Sequence, residues 1–199
     1  MLENYAIYLN FLEKKLAKFF DSQKPYIFCQ KGCSKCCRNA EFPYSALEVE
    51  YLLCGFAKLD NSTQKIILKN INNLNEAKKN FSGDNFLYTC PFLINDTCAV
   101  YNYRGIVCRT FGLIYTDKKG IAKIPFCGFN GLNYSNVLDK ETKKISDKMF
   151  QDCGFKEEPL SFNISYEYLT GIDFENQFNI KFGEKKILID WFSNNESPT

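Results

Sequence analysis

Residues 29–37 read CQKGCSKCC, four cysteines in nine residues with the last two adjacent. This cluster constrains the fold more than any other feature, because the local backbone must place several sulfurs around one point. The chain has ten cysteines and no histidine. Without histidine the usual Ser-His and Cys-His hydrolytic arrangements are excluded, and so are His-rich catalytic zinc sites. A transition-metal site here has to be built mainly from thiolates. A disulfide framework fits less well. The N-terminus MLENYAIYLNFLEKK carries Glu3 where a secretion signal carries positive charge, so the expected compartment is the cytoplasm, where disulfides seldom persist. A chain of 199 residues that is 45% hydrophobic is also large enough to bury a core without covalent staples. Adjacent cysteines such as Cys36 and Cys37 project in different directions, which suits ligation better than bonding to each other.

The remaining composition narrows the partners. A net charge of +2 offers no electrostatic case for nucleic acid or an anionic membrane. No apolar run approaches the length of a bilayer span. The expected partners are metal ions, with no nucleic acid and no membrane; the sequence does not point to a protein partner.

Apolar periodicity predicts four helices. Leu2, Tyr5, Leu9, Leu12, Leu16 and Phe19 form one stripe over residues 2–20, which should end before Pro25. PYSALEVEYLLCGF predicts a second helix capped by Ser45, with Glu48 three residues on and Gly55 near its end. DNSTQKIILKNINNLNEAKKNF predicts a third, burying Ile67, Ile71, Leu74, Ala77 and Phe81. NVLDKETKKISDKMFQDCGF predicts a fourth, stopped at Gly154. FGLIYTDKKGIAKIPF predicts a hairpin turning at Asp117 to Gly120, and NQFNIKFGEKKILIDWF a second turning at Gly183 and Glu184. The class expected is α+β, a helix-rich single domain over residues 1–190 with short β-hairpins and a cysteine-ligated metal site in loops. Residues 191–199 are expected to be a disordered tail.

Eight cysteines fall in segments read as irregular or strand-edge: Cys29, Cys33, Cys36, Cys37, Cys90, Cys98, Cys108 and Cys127. Cys33 and Cys36 make a C-x2-C pair, the spacing that puts two sulfurs on one metal from a turn. Cys37 would point elsewhere, to a second metal ion or another iron of a cluster. The other two, Cys54 and Cys153, lie on expected helices and are read as small buried hydrophobes. Lys31, Lys35, Arg38, Arg104 and Arg109 flank cysteines, where they either offset thiolate charge or form a solvated surface. Eight thiols exceed the four of one structural zinc, which favours an iron–sulfur cluster over zinc, or more than one metal ion.

Together these pieces resemble the YkgJ-type cysteine-cluster family, described as zinc- or iron-chelating domains. The resemblance rests on CQKGCSKCC (Cys29 to Cys37), CPFL (Cys90), CAVYNYR (Cys98 to Arg104) and CRTFG (Cys108, Arg109), and covers roughly residues 29–127. It implies metal or cluster binding through the matched cysteines. The family has proline where this chain has Gly105, a change expected to loosen the local backbone. A similar domain forms part of flagellin lysine N-methylases that use S-adenosylmethionine, so a methylase-like enzyme with a catalytic or structural cluster stands as one alternative. In that case Arg104, Arg109, Tyr101 or Tyr103 would line an open coordination site. No Gly-rich nucleotide-binding turn supports it, since GFNGL (Gly128 to Leu132) is too weak a match. A redox or metal sensor, or a metal carrier, is the other alternative. Whether the chain is an enzyme stays open. Because the thiols come from both the helical N-terminal part and the later β-containing part, metal loss is expected to unfold more than one loop.

Overall fold

The computed structural model describes residues 1–30, 32–117, 119–155 and 159–193. In chain order, helix α1 (Leu2–Ser22) is followed by strand β1 (Pro43–Ser45) and helices α2 (Ala46–Phe56) and α3 (Asn61–Lys79). Then come β2 (Leu93–Ile94), β3 (Thr97–Cys98), helix α4 (Ile106–Thr110), β4 (Tyr115–Thr116), β5 (Ala122–Lys123), β6 (Leu138–Asp139) and β7 (Lys144–Ile145). The last elements are helices α5 (Asp147–Asp152), α6 (Tyr166–Leu169) and α7 (Ile172–Phe178) and strand β8 (Lys185–Ile187). The strands form two-stranded antiparallel ribbons, so the class is α+β, as expected. None of the described helices is long and apolar enough to cross a membrane.

The chain divides into two compact units. One comprises Met1–Leu2, Ser34–Cys108 and the chain from Ile180 onward; the other comprises Glu3–Cys33 and Arg109–Asn179.

The first unit is organised by the start of α2. Ser45 caps this helix and forms the expected reciprocal box with Glu48. Both residues are fully buried. Glu48 Oε2 accepts from the Ser45 N–H and the Ser45 hydroxyl, each at 2.8 Å, while Oε1 accepts from the Ile106 N–H at 2.8 Å. Ile106 is the first residue of α4, so one buried carboxylate satisfies N-terminal N–H groups of two helices. Two further α2 donors, Ala46 N–H and Leu47 N–H, reach the carbonyls of Glu184 and Phe182.

Those carbonyls flank Gly183, which takes φ +73° and turns the chain there. The expected second hairpin is therefore replaced. Residues 176–178 belong to α7, Asn179 ends it in the left-handed region, and β8 pairs with β1 instead of a sequence neighbour. Strand pairing over such a separation leaves no local signature. Around α2, Tyr44, Leu52, Ile67, Ile71, Phe92 and Ile189 form the core.

Helix α3 begins at the cap Asp60 and buries Ile67 and Ile71 as expected, with Leu74 partly buried against the core. Ala77 and Phe81 are exposed, against expectation, and Asn75 is buried instead. The 3-10 turn Leu188–Phe192 covers this part of α3, and Asn75 donates to the Phe192 carbonyl at 2.7 Å. Trp191 and Phe192, read as the start of a tail, thus belong to the ordered chain, while residues 194–199 lie outside the described residues.

In the second unit α1 buries Tyr5, Leu9, Leu12 and Leu16 of the expected stripe, with Tyr8 added, while Phe19 is only partly buried. Tyr8 donates to the Leu169 carbonyl at 2.7 Å, and its ring packs edge-on to Phe178. The β4–β5 hairpin turns where expected, with Asp117 Oδ1 accepting from the N–H groups of Lys119 and Ile121. The predicted fourth helix is only half right. Its first part is the β6–β7 hairpin, and α5 covers only Asp147–Asp152. Asp139 Oδ1 accepts from the N–H groups of Glu141 and Thr142, and Lys143 adopts φ +58°, so turn chemistry overrides the weak apolar period. Ser146 then caps α5, and Gly154 ends it at φ +71°, as expected.

Replacing Glu48 with alanine would leave the Ser45 and Ile106 N–H groups buried without acceptors. We expect Glu48→Ala to lower unfolding stability by about 3 kcal/mol, and Glu48→Gln by less, measured by urea denaturation.

Candidate metal centre

Five of the eight predicted ligands lie in the first unit: Cys36, Cys37, Cys90, Cys98 and Cys108. Short backbone pairings bring their segments together. After Cys36 the chain makes the 3-10 turn Cys37–Asn39. The Cys90 N–H then donates to the Cys37 carbonyl at 2.7 Å, and Ala40 and Tyr88 exchange backbone hydrogen bonds beside it.

Beyond Cys90 the chain folds back through the β2–β3 hairpin, whose two-residue turn is Asn95-Asp96 with both residues at positive φ. This register sets Cys98 opposite Leu93, close to Cys90. Cys108 arrives on α4, a helix, and not in the irregular or strand-edge segment expected. Short apolar stretches carry too little period to reveal a five-residue helix.

The turn itself is tied down. Ser34 is buried and donates to Asp96 Oδ1, Arg38 Nε donates to Ser34 Oγ at 3.1 Å, and Arg38 Nη2 pairs with Asp96. These three side chains fasten the CQKGCSKCC turn to the hairpin carrying Cys98.

The electrostatics show how near the thiols are to one another. Contact with the Cys37 thiol, whose sulfur lies 3.9 Å away, pushes the Cys36 thiol far above its ordinary range, and burial adds to this. Burial also raises Cys90, and charge on Cys108, Cys98 or Cys36 would raise it further. Burial pushes the Cys108 thiol up to about 12, with Cys98 and Cys36 acting in the same direction. Two groups ease its ionisation, a hydrogen bond with Tyr44 and the Arg104 cation. Cys36, Cys90, Cys98 and Cys108 therefore share one electrostatic neighbourhood, although they come from separate segments. Among the described residues, no three cysteine, aspartate or glutamate side chains stand in a ready-made ligating arrangement. The donor chemistry fits a soft metal, and protonated thiols that repel one another as thiolates have no reason to converge fully without a cation.

The other three predicted ligands belong to the second unit. Cys29 is exposed, Cys33 half-buried and Cys127 buried. Asn133, which sequence reasoning missed, organises their surroundings. Its buried Oδ1 accepts from the Phe28 and Cys29 N–H groups at 2.9 Å each, and its Nδ2 donates to the Gly112 carbonyl at 2.8 Å. The neighbouring Leu132 N–H donates to the Cys127 carbonyl at 3.1 Å. Nothing in the sequence sets this asparagine apart from the nineteen others.

Cys54 is half-buried, and Cys153 is exposed, a correction to the reading of both as buried hydrophobes. Cys153 follows the last turn of the short α5, and its thiol donates to the Asn136 carbonyl at 3.6 Å.

The flanking cations divide. Arg104 stacks 3.8 Å over the Tyr101 ring and is the one whose charge favours the Cys108 thiolate. Arg38 is committed to Asp96, and the buried Arg109 to Glu13. Lys31 lies outside the described residues.

Gly105 is the opposite of loose. Its N–H donates to the Tyr44 hydroxyl at 3.1 Å, and a β-carbon there would sit 2.6 Å from the Tyr44 ring. Proline could neither donate that bond nor fit under that ring.

No known protein family, curated protein or solved structure matches this chain.

We expect Gly105→Ala to displace Tyr44 and lower thermal stability by about 1–3 kcal/mol, read by calorimetry.

Proposed function

We propose that this chain is a thiolate metalloprotein whose first unit holds an iron–sulfur cluster, or zinc, through Cys36, Cys90, Cys98 and Cys108, with Cys37 beside them. One observation carries the reading: four cysteines from separate chain segments fall within reach of one another's charge. Four thiolates are the complement of a tetrahedral zinc or of a [4Fe–4S] cluster. The fifth thiol, Cys37, exceeds what one structural zinc needs, so we place the iron–sulfur cluster first. The resemblance to the YkgJ-type cysteine-cluster family points the same way.

The raised thiols define what binding must do. Each ligand has to lose a proton, and the cation supplies the energy that burial and thiolate repulsion withhold. A bound metal would cross-link the turn at Cys36, the segment at Cys90, the β2–β3 hairpin and α4.

Anaerobic purification with elemental analysis and an absorption spectrum tests the proposal. We expect several irons per chain and a broad band near about 400 nm. A colourless protein with stoichiometric zinc would replace the cluster by zinc, and absence of bound metal would refute the proposal. Cys36→Ser should lower bound metal and stability, while Cys54→Ser should leave metal content unchanged.

The proton release gives a pH dependence of known sign. Thiols protonated at neutral pH must ionise on binding, so affinity should rise from about pH 6 to about pH 8. Competition with a chelator across that range measures it, and a flat profile would count against ligation by protonated thiols.

A further inference from the structure

Tyr44 packs against Gly105 and stands beside Cys108. The side chain is 2% exposed. Its backbone pairs with Lys186 in the β1–β8 ribbon, and its carbonyl accepts from Trp191 Nε1 at 3.0 Å. At the far end the hydroxyl accepts from the Gly105 N–H at 3.1 Å and lies 3.3 Å from Cys108 Sγ. The ring is therefore fixed at both ends.

Packing alone would be met by phenylalanine, and a buried hydroxyl proton without an acceptor is costly. Here the acceptor on offer is the sulfur. A metal-bound cysteine carries no proton, so the hydrogen in that contact has to be the tyrosine's. A hydrogen bond to a ligating sulfur orients it and draws electron density from the metal–sulfur bond.

We propose that Tyr44 is a positioning residue of the metal centre, donating its hydroxyl proton to the Cys108 thiolate and so weakening that sulfur's donation to the metal. This rests on the metal-binding reading above. Arg104 biases Cys108 through charge. Tyr44 acts through a directed bond, which makes its contribution separable by removing one oxygen.

Cobalt(II) serves as a probe whichever metal is native, since thiolate-to-cobalt charge transfer reports how strongly each sulfur donates. The purified full-length protein, Tyr44→Phe and Cys108→Ser are titrated with cobalt under anaerobic conditions. We expect the unaltered protein to develop charge-transfer absorption, Cys108→Ser to lose part of its intensity, and Tyr44→Phe to bind the same number of cobalt ions with the band moved to longer wavelength. If Tyr44→Phe does not fold, as judged by circular dichroism, 3-fluorotyrosine placed at position 44 alone supplies a stronger donor of nearly the same shape. Its band should move to shorter wavelength.

An unmoved band in the variant that folds, with Cys108→Ser still losing intensity, overturns the role of Tyr44 and leaves metal binding standing. Absence of charge transfer in the unaltered protein overturns both.

Discussion

The carboxylate of Glu48 sits at the start of α2 with two oxygens engaged by three donors, and the placement of Cys108 follows from it. A buried charge is tolerated only where hydrogen bonds replace the lost water. Here the donors are the N-terminal groups of two helices, whose unsatisfied N–H groups and dipoles favour an anion. Fixing Ile106 fixes the beginning of α4, and Cys108 lies two residues further on. One turn before Glu48, Tyr44 holds Gly105 and contacts the Cys108 sulfur. Tyr44, Ser45 and Glu48, close together on one chain segment, thus position a thiol some sixty residues away.

The same economy recurs on the other side of the thiol group. Ser34, Arg38 and Asp96 join the CQKGCSKCC turn to the β2–β3 hairpin, and the Cys37 carbonyl holds the Cys90 N–H. Cys37, Cys98 and Cys108 are each carried by a short element, a 3-10 turn, a two-residue strand and a five-residue helix. Such elements have little stability of their own. Their positions depend on the side-chain bonds between them, and a metal cross-link would add to those bonds in the same place.

How far the sequence disclosed this depends on the range of each interaction. Helices α1, α2 and α3 were legible because their apolar stripes and caps are local, as at Ser45 and Glu48. The β4–β5 hairpin was legible through Asp117 and Gly120. The pairing of β1 with β8 and the burial of Asn75 were not, because their partners lie more than a hundred residues away. The β6–β7 hairpin was hidden by helix formers whose pattern the Asp139 turn overrides. At the candidate site the cysteines themselves were legible; spacing paired Cys33 with Cys36, and the link to the later cysteines came from the family resemblance. Tyr44, Asp96 and Asn133 were invisible, since each acts through a hydrogen bond that no local pattern encodes.

X-ray absorption at the edge of the metal carried by anaerobically purified protein tests the central claim most directly. Ligation by Cys36, Cys90, Cys98 and Cys108 predicts a scattering shell made of sulfur alone, at about 2.3 Å, and loss of sulfur scattering in Cys90→Ser. A shell dominated by nitrogen or oxygen, or a metal whose surroundings are unchanged in Cys90→Ser, would contradict it.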